Sequence, residues 1–244
     1  MAFAIQWHCQ QGTRTADNRD HAGIGIRGDS ILAVVLDGST SRPASGLFAQ
    51  KIAHQMVDWF MTTSTAITAA AITEQLREIH KTLARAFRKE SASYVLLYAD
   101  SGRQAIVLHA GDCLLGHHGG DGRISWLTQP HTLANALSAV PHAALAKLET
   151  RHVLTRSFRS REFLVPELSL VDLQEQVLFI GTDGFWADLD PVLQRAFAEG
   201  RFSANEAERD DCSLLSISRA AANTAPGISG THATANIYFR TATS

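Results

Sequence analysis

The sequence is poor in cysteine and has no long apolar run. Its 244 residues include only three cysteines, an odd number spread along the chain, so no disulfide framework is predicted and a reducing cytoplasm is the expected compartment. The opening residues MAFAIQW lack the basic region and extended apolar core of a signal peptide, and no later segment is long enough to cross a membrane. We therefore expect a soluble cytoplasmic protein with no membrane partner.

The chain also lacks an excess of charge of either sign. Its formal net charge is -2, and charged residues make up 19% of the sequence without forming a long basic run. A nucleic-acid partner is therefore not expected, because binding one requires a basic face. An anionic substrate would have to be bound by a local positive charge.

What the sequence does contain is a series of short apolar runs separated by turn signals. HAGIGIRGDSILAVVLDG predicts a hairpin that turns at residues 27–30, and SYVLLYADSGRQAIVLHAGDCLLGHHGGDGRISWLT predicts three strands joined at 101–102 and 119–122. CSLLSISRAA and HATANIYFRT predict two closing strands. Connections this short join antiparallel strands rather than parallel ones.

Helices interrupt the strand pattern. One is predicted over residues 44–61, a second over 68–89 with apolar residues at three- and four-residue intervals, and a third in DPVLQRAFAEG. No internal repeat or linker divides the chain, so residues 1–244 are predicted to form a single domain. The expected fold class is α+β, a four-layer α-β-β-α sandwich of two antiparallel sheets flanked by helices.

Aspartates lie at the ends of several apolar strand sequences. Asp37 follows LAVVL, Asp112 follows VLHAG, Asp183 follows VLFIGT and Asp210 precedes CSLLSI. Any one Asp-Gly pair could be an ordinary turn, and that alternative stays open for each pair. Carboxylates gathered at one edge of a sandwich would repel one another unless cations lay among them, and such oxygen ligands suit Mg²⁺ or Mn²⁺.

Near the amino terminus, WHCQQGTRT offers a different chemistry. Cys9 followed by a loop and Arg14 resembles the phosphate loop of cysteine-dependent phosphatases, but one residue fewer separates the two here. The alternative is that Cys9 is a small strand residue with no catalytic role. Arg14 could then be either a phosphate clamp or a surface ion pair.

The order of the motifs suggests a family. Arg14 with Asn18-Arg19-Asp20, then LDGSTS, HAGDC, LTQPHT, HVLTRSF, IGTDGFW and DDCSLLSI, resembles the bacterial-type members of the PPM (type 2C) metal-dependent Ser/Thr protein phosphatases. The resemblance runs from about Gln6 to Ile217 in the family's order. It implies two Mg²⁺ or Mn²⁺ ions at one end of the sandwich, with a third, weaker site in some members.

The resemblance also implies a role for each matching residue. Asp37 would bind both ions and the carbonyl of Gly38 one of them, while Asp183 and Asp210 would bind the other. Asp20 would act directly or through water, and Asp112 would support the weaker site. Arg14 would hold the substrate phosphate, so that Arg14 and Asp37 are the expected catalytic residues.

The sequence departs from the family pattern at Arg19, at Asp211 and in DGSTS, which lacks the glycine pair common after the aspartate. Arg19 stands where many members have Glu or Gln, and Asp211 stands at the usual Asn. His131 aligns with a family histidine, whereas His117 and His118 are predicted to lie in an exposed turn.

The family resemblance implies a metal-dependent phosphatase that hydrolyses phosphoserine or phosphothreonine on a protein partner by means of a metal-activated water, in a signalling pair with a kinase. Two alternatives remain. One is a catalytically weak pseudophosphatase that binds phosphoproteins as a regulatory module, suggested by Arg19. The other is thiolate chemistry at Cys9. The oligomeric state is not predicted.

Overall fold

A computed structural model describes residues 2–102, 104–119, 123–172, 177–201, 209–220, 227–230 and 235–242. Two β-sheets lie face to face. Sheet A contains β1 (Ala2–Gln10), β6 (Leu114–His118), β7 (Ile124–Trp126), β10 (Leu178–Gly181), β11 (Cys212–Ala220) and β12 (Gly227–Ser229). Sheet B contains β2 (Asp20–Arg27), β3 (Ser30–Gly38), β4 (Ser91–Ala99), β5 (Gln104–Ala110), β8 (Phe158–Arg159), β9 (Glu167–Asp172) and β13 (Ile237–Ala242).

The order of the strands shows how each sheet is closed. Sheet A runs β12-β1-β11-β10-β6-β7, and sheet B runs β13-β2-β3-β4-β5-β9, with β8 paired to β4. The expectation of purely antiparallel sheets is wrong at two edges, because β12 pairs with β1 and β13 with β2 in parallel. Both sheets are therefore mixed.

The helices form the outer layers. α1 (Ser45–Thr62) and α2 (Ala69–Leu83) cover sheet B, while α3 (His142–Leu145), α4 (Asp183–Trp186) and α5 (Pro191–Ala198) pack on sheet A. The predicted α-β-β-α sandwich is confirmed, although the layer over sheet A is thin. Among the described residues, no helix is both long enough and apolar enough to span a lipid bilayer.

One predicted helix end and one predicted number of strands are wrong. The second helix ends at Leu83 rather than at 89, and the chain continues in a turn in which the Ala86 and Phe87 N–H groups donate to the Leu83 carbonyl. The segment that was predicted to hold three strands holds four, since the chain leaves sheet B at Gly111, where φ is +107°, and crosses to sheet A. The predicted turn at 119–122 lies mostly outside the described residues.

The apolar layer between the sheets ends in acidic groups. Along β3, Ile31, Ala33 and Val35 point into this layer, and Asp37 is the next residue on the same face. The matching row of β2 begins with Asp20. Strand alternation thus places both carboxylates at one end of the core.

Candidate active site

Asp20 and Asp37 are directly opposite each other on neighbouring strands. They are register partners in the antiparallel pair of β2 and β3, so their side chains lie on the same face. Asp20 is fully buried, and the Thr182 hydroxyl donates a 2.9 Å hydrogen bond to its Oδ2. Among the described residues, Asp20 Oδ1 has no hydrogen-bond partner. A buried carboxylate oxygen without a donor is a vacant ligand for a cation.

Asp37-Gly38 lies in β3 and Asp183-Gly184 begins α4, so neither of these Asp-Gly pairs is a turn. A Cβ at Gly38 would lie 2.7 Å from the backbone of Ser45 at the start of α1, and a Cβ at Gly184 would collide with the backbone carbonyl of Asp211. The glycines therefore let other backbone segments approach the site closely. The second contact brings Asp183 beside the segment that carries Asp210.

Asp112 lies where the chain crosses between the sheets. The residue is 6% exposed, and its Oδ1 accepts a 2.6 Å hydrogen bond from the Ser93 hydroxyl. Ser93 is the register partner of Asp37 on β4, so it belongs to the same inward-facing row. Trp186 Nε1 donates to the backbone carbonyl of Asp112 at 2.7 Å and fixes the segment from the other side.

Arg151 is a buried cation that the sequence did not reveal. Its Nη1 donates to Asp183 Oδ2 at 2.9 Å and its Nη2 to Asp188 Oδ1 at 2.7 Å, with the Arg151 side chain 7% exposed. Neither Arg151 nor Asp188 lies in a pattern that predicts a site. The signal available was only that Arg151 immediately precedes the HVLTRSF motif.

Asp210 is held by groups from two loops. Arg14 Nη1 donates to Asp210 Oδ2 at 2.9 Å, and the Thr40 hydroxyl lies 3.3 Å from the same oxygen. The side chain of Arg14 remains 31% exposed. Arg14 therefore lies where it can exchange a carboxylate for another anion.

These groups share one cleft of about 250 Å³. Four of the predicted site aspartates and Arg14 line it, together with residues 39–41, 91–93, His152 and Leu154; the four are Asp37, Asp112, Asp183 and Asp210. Asp20 is buried beside Asp37, and Gly38 follows Asp37 at the end of β3. The structure thus brings the sequence-predicted residues together at one end of the sandwich.

The carboxyls strongly disfavour being charged at the same time. Burial, followed by the nearby Asp20, Asp183, Asp112 and Asp210, holds the pKa of Asp37 well above its ordinary value. Burial, followed by Asp112 and Asp210, likewise raises the pKa of Asp183. Such mutual repulsion is relieved by a divalent cation.

The donor set fits hard divalent cations. Asp37 lines the cleft, and within the described residues its carboxylate has no hydrogen-bond or ion-pair partner. Oxygen-only ligands of this kind suit Mg²⁺ or Mn²⁺. No three of these aspartates in the described part of the chain place carboxylate oxygens within 4.8 Å of one another, so ions would draw them closer together.

Arg19 and Asp211 organise the loops around the cleft. Arg19 Nη1 donates to the carbonyls of Ser39, Thr40 and Arg42 at 3.1, 2.9 and 2.6 Å. The Asp211 carboxylate accepts the backbone N–H groups of Gly12 and Arg19, each at 2.8 Å. The Arg19 guanidinium therefore binds the loop that follows Asp37 and Gly38.

The cysteines have no catalytic geometry. Burial, and then the nearby Asp20, raises the pKa of Cys9 to about 12, so the thiolate is not available near neutral pH. Cys9, Cys113 and Cys212 are all buried in apolar clusters. His117 and His118 are the last two residues of β6 rather than a turn, and His118 is exposed.

A search with protein-family sequence models finds no match, and neither does a search of curated proteins. Solved structures do match. The serine/threonine phosphatase Stp1 of Staphylococcus aureus superposes with a TM-score of 0.74 at 14% identity, covering 91% of this chain and 96% of that one. The phosphatase PstP/Ppp of Mycobacterium tuberculosis gives 0.71 at 14% identity, with coverage of 89% and 99%.

A third match bears on metals. The catalytic domain of PstP in complex with two manganese ions gives a TM-score of 0.66 at 14% identity, covering 88% of this chain and 97% of that one. The resemblance to the bacterial PPM phosphatases is thereby confirmed at the level of the fold.

Proposed function

We propose that this chain is a metal-dependent phosphatase that hydrolyses phosphoserine or phosphothreonine on a protein partner. The observation that carries the proposal is the cleft in which Asp37, Asp112, Asp183 and Asp210 meet Arg14. Acids and an arginine at one end of an α-β-β-α sandwich provide cation ligands and an anion-binding group in the same small volume. The phosphatase fold of the similar structures supports the same reaction class.

Each residue has a role in this proposal. Asp37 would hold two ions and the Gly38 carbonyl one of them, with Asp183 and Asp210 on the other and Asp20 contributing its vacant Oδ1. Asp112 would hold a third, weaker ion. Bound Mg²⁺ or Mn²⁺ would supply an activated water and neutralise charge on the phosphoryl oxygens.

Arg14 performs the binding step. Its planar guanidinium can hold two phosphate oxygens at once, which a lysine ammonium cannot do with the same geometry. Because Arg14 is bonded to Asp210, substrate binding replaces one charge-assisted hydrogen bond by others. Arg14 thereby orients the phosphate beside the acids.

The cleft also bears on the substrate class. The exposed guanidinium of Arg14 lines the cleft, so a phosphorylated side chain on a protein surface can reach it, and serine/threonine phosphatases are among the proteins of similar fold. We extend the proposal to a kinase-coupled signalling role in the cytoplasm and to residues 1–244 acting as one domain. The low net charge gives no reason to add a nucleic-acid partner.

The first test is hydrolysis of a generic aryl phosphate and of a phosphothreonine peptide. Activity should appear with Mn²⁺, be lower with Mg²⁺ and be lost in chelator, because Mn²⁺ binds such ligands more tightly and tolerates less ideal geometry. The proposal would be overturned if the protein showed no turnover with Mn²⁺ and none with Mg²⁺.

A second candidate is the phosphoprotein-binding pseudophosphatase. Arg19, which suggested it, binds loop carbonyls. What favours this candidate now is that Arg14 and Arg151 already neutralise Asp210 and Asp183 without ions. Phosphopeptide binding by calorimetry, at metal concentrations that give no turnover, would identify this function.

Arg14 should act mainly on substrate affinity. Arg14→Ala should raise the KM for the aryl phosphate about tenfold, with a smaller effect on kcat, since one charge-assisted contact is lost. Arg14→Lys should restore little, because the bidentate geometry is lost. Steady-state kinetics with Mn²⁺ would measure both, and an unchanged KM in Arg14→Ala would mean that the phosphate is held elsewhere.

A further inference from the structure

A second cluster of ligand-type side chains lies outside the acidic cleft, on the inward face of sheet B. Ala105 and Val107 of β5 point into the core, and His109 is the next residue in that row. Glu167 of β9 is the register partner of His109, so both side chains lie on one face. His131 comes from the segment after β7, and its ring stacks on His109 at 4.7 Å between centroids.

Each carboxylate oxygen of Glu167 lies near one imidazole nitrogen, at separations on either side of the spacing expected between ligands of one tetrahedral ion. His109 Nε2 lies 3.7 Å from Glu167 Oε1, and His131 Nε2 lies 3.0 Å from Glu167 Oε2. Ligand atoms around tetrahedral Zn²⁺ lie about 3.3 Å apart, given the usual Zn–N and Zn–O distances. Within the described residues, this trio is the group that brings three ligand atoms within 4.8 Å of one another.

His109 supplies an independent observation. It is 1% exposed, and among the described residues neither of its ring nitrogens has a hydrogen-bond partner. A buried imidazole normally has at least one partner, because leaving its polar atoms unpaired is costly. Burial, with His131 second, lowers the pKa of His109 to about 4, so the ring is neutral and can donate a lone pair to a metal.

We propose that His109, His131 and Glu167 form a Zn²⁺-binding site separate from the acidic cleft. Two imidazoles and one carboxylate are a recognised zinc ligand set, with the fourth position left to water. The Glu167 side chain is 52% exposed, so the ion and that water can enter from solvent. Nitrogen ligands also favour Zn²⁺ over Mg²⁺, whereas the all-oxygen cleft favours the hard ions.

Ion binding requires one rearrangement. The Gly111 N–H donates to His131 Nδ1 at 3.2 Å, which assigns the proton of a neutral ring to Nε2, facing Glu167. A metal on Nε2 moves that proton to Nδ1 and breaks the long Gly111 bond. The backbone bond from His131 N–H to the Gly111 carbonyl, at 2.8 Å, keeps the two segments together.

The site would brace the cleft indirectly. Gly111 immediately precedes Asp112, and His131 is bonded to Gly111. A zinc ion joining His131 to β5 and β9 would fix the segment that presents Asp112. Its binding does not depend on phosphatase activity.

The test uses the full chain with the double substitution Asp37→Asn and Asp183→Asn, which disables the acidic cleft. We expect one equivalent of Zn²⁺ to bind by calorimetry and Co²⁺ to give the visible absorption of a tetrahedral site. Adding Glu167→Gln or His131→Gln should weaken Zn²⁺ binding at least about tenfold, because one of three protein ligands is lost. His118→Gln, at an exposed histidine outside the cluster, is the matched control and should bind as before.

Circular dichroism would establish that each variant is folded. Glu167 is half-exposed, so Glu167→Gln is expected to leave the fold intact even if His131→Gln does not. The proposal is overturned if the cleft-disabled chain binds no Zn²⁺ or Co²⁺. It is equally overturned if Glu167→Gln binds as tightly as His118→Gln.

Discussion

Asp37→Asn should remove nearly all phosphatase activity while making the ion-free protein more stable. Asp37 lines the cleft, where the proposal has it shared by both ions, and an amide cannot replace its charge. We expect kcat to fall about a thousandfold, which corresponds to about 4 kcal/mol of transition-state stabilisation. Hydrolysis of an aryl phosphate at saturating Mn²⁺ would measure it.

The accompanying stability gain distinguishes a site effect from misfolding. The pKa of Asp37 is raised in the folded state, so the folded chain binds more protons at this carboxyl than the unfolded chain does. The free energy of unfolding therefore falls as the pH rises from 3.8, the ordinary pKa, through the raised pKa of the folded state. Asparagine does not ionise, so the Asp37→Asn protein does not lose this stability as the pH rises. Urea unfolding in chelator at pH 8 should therefore show Asp37→Asn more stable by about 1 kcal/mol.

Asp172→Asn is the matched control for this experiment, because Asp172 is exposed at the end of β9. It should leave both activity and stability nearly unchanged. Near-normal turnover by Asp37→Asn with metal bound would refute the two-ion proposal, whereas loss of both activity and stability would indicate a damaged fold.

Arg151→Met should destabilise the ion-free protein by about 3 kcal/mol. The Arg151 side chain is 7% exposed and pairs with Asp183 and Asp188, so its removal leaves one mostly buried and one half-buried carboxylate without their cationic partner. Urea unfolding in chelator, followed by circular dichroism, would measure the change.

An exposed pair provides the comparison. Lys81 pairs with Glu78 on the surface of α2, where both side chains are more than half exposed, and Lys81→Met should cost less than about 0.5 kcal/mol. Adding Asp183→Asn to Arg151→Met should recover part of the loss, since one unpaired charge disappears. If Arg151→Met unfolds like Lys81→Met, the buried pair contributes nothing to the fold.

Much of the candidate site could be predicted because its aspartates lie at the ends of apolar strand sequences and follow the order of a family pattern. In β3 an unbroken apolar run ends at Asp37, and in β2 the alternating apolar residues Ala22, Ile24 and Ile26 share a face with Asp20. The hairpin turning at residues 27–30 was confirmed for the same reason. Burial of one face constrains these segments strongly enough for the pattern to be read locally.

Contacts between distant segments could not be predicted in this way. Arg151 reaches Asp183 only because the fold brings them together, and an arginine in ETRH carries no local signal. The parallel pairing of β13 with β2 could not be predicted either, because the alternation of apolar and polar residues does not show which strand is a neighbour or in which direction it runs. The role of His109 could not be predicted for a different reason. It follows Ala105 and Val107 on the inward face of β5, and only the strand register brings Glu167 beside it.

The pairing of Ala2 with Ala220, across β1 and β11, has a thermodynamic consequence for ion binding. Sheet A forms only when segments far apart in sequence meet. The acids also come from distant parts of the chain, since Asp37 ends β3 of sheet B and Asp183 follows β10 of sheet A. In the unfolded chain these carboxylates are scattered, so no comparable ion site exists there. The free energy of any ion bound in the cleft therefore adds to the free energy of unfolding, and the fold becomes more stable as the concentration of free cation rises.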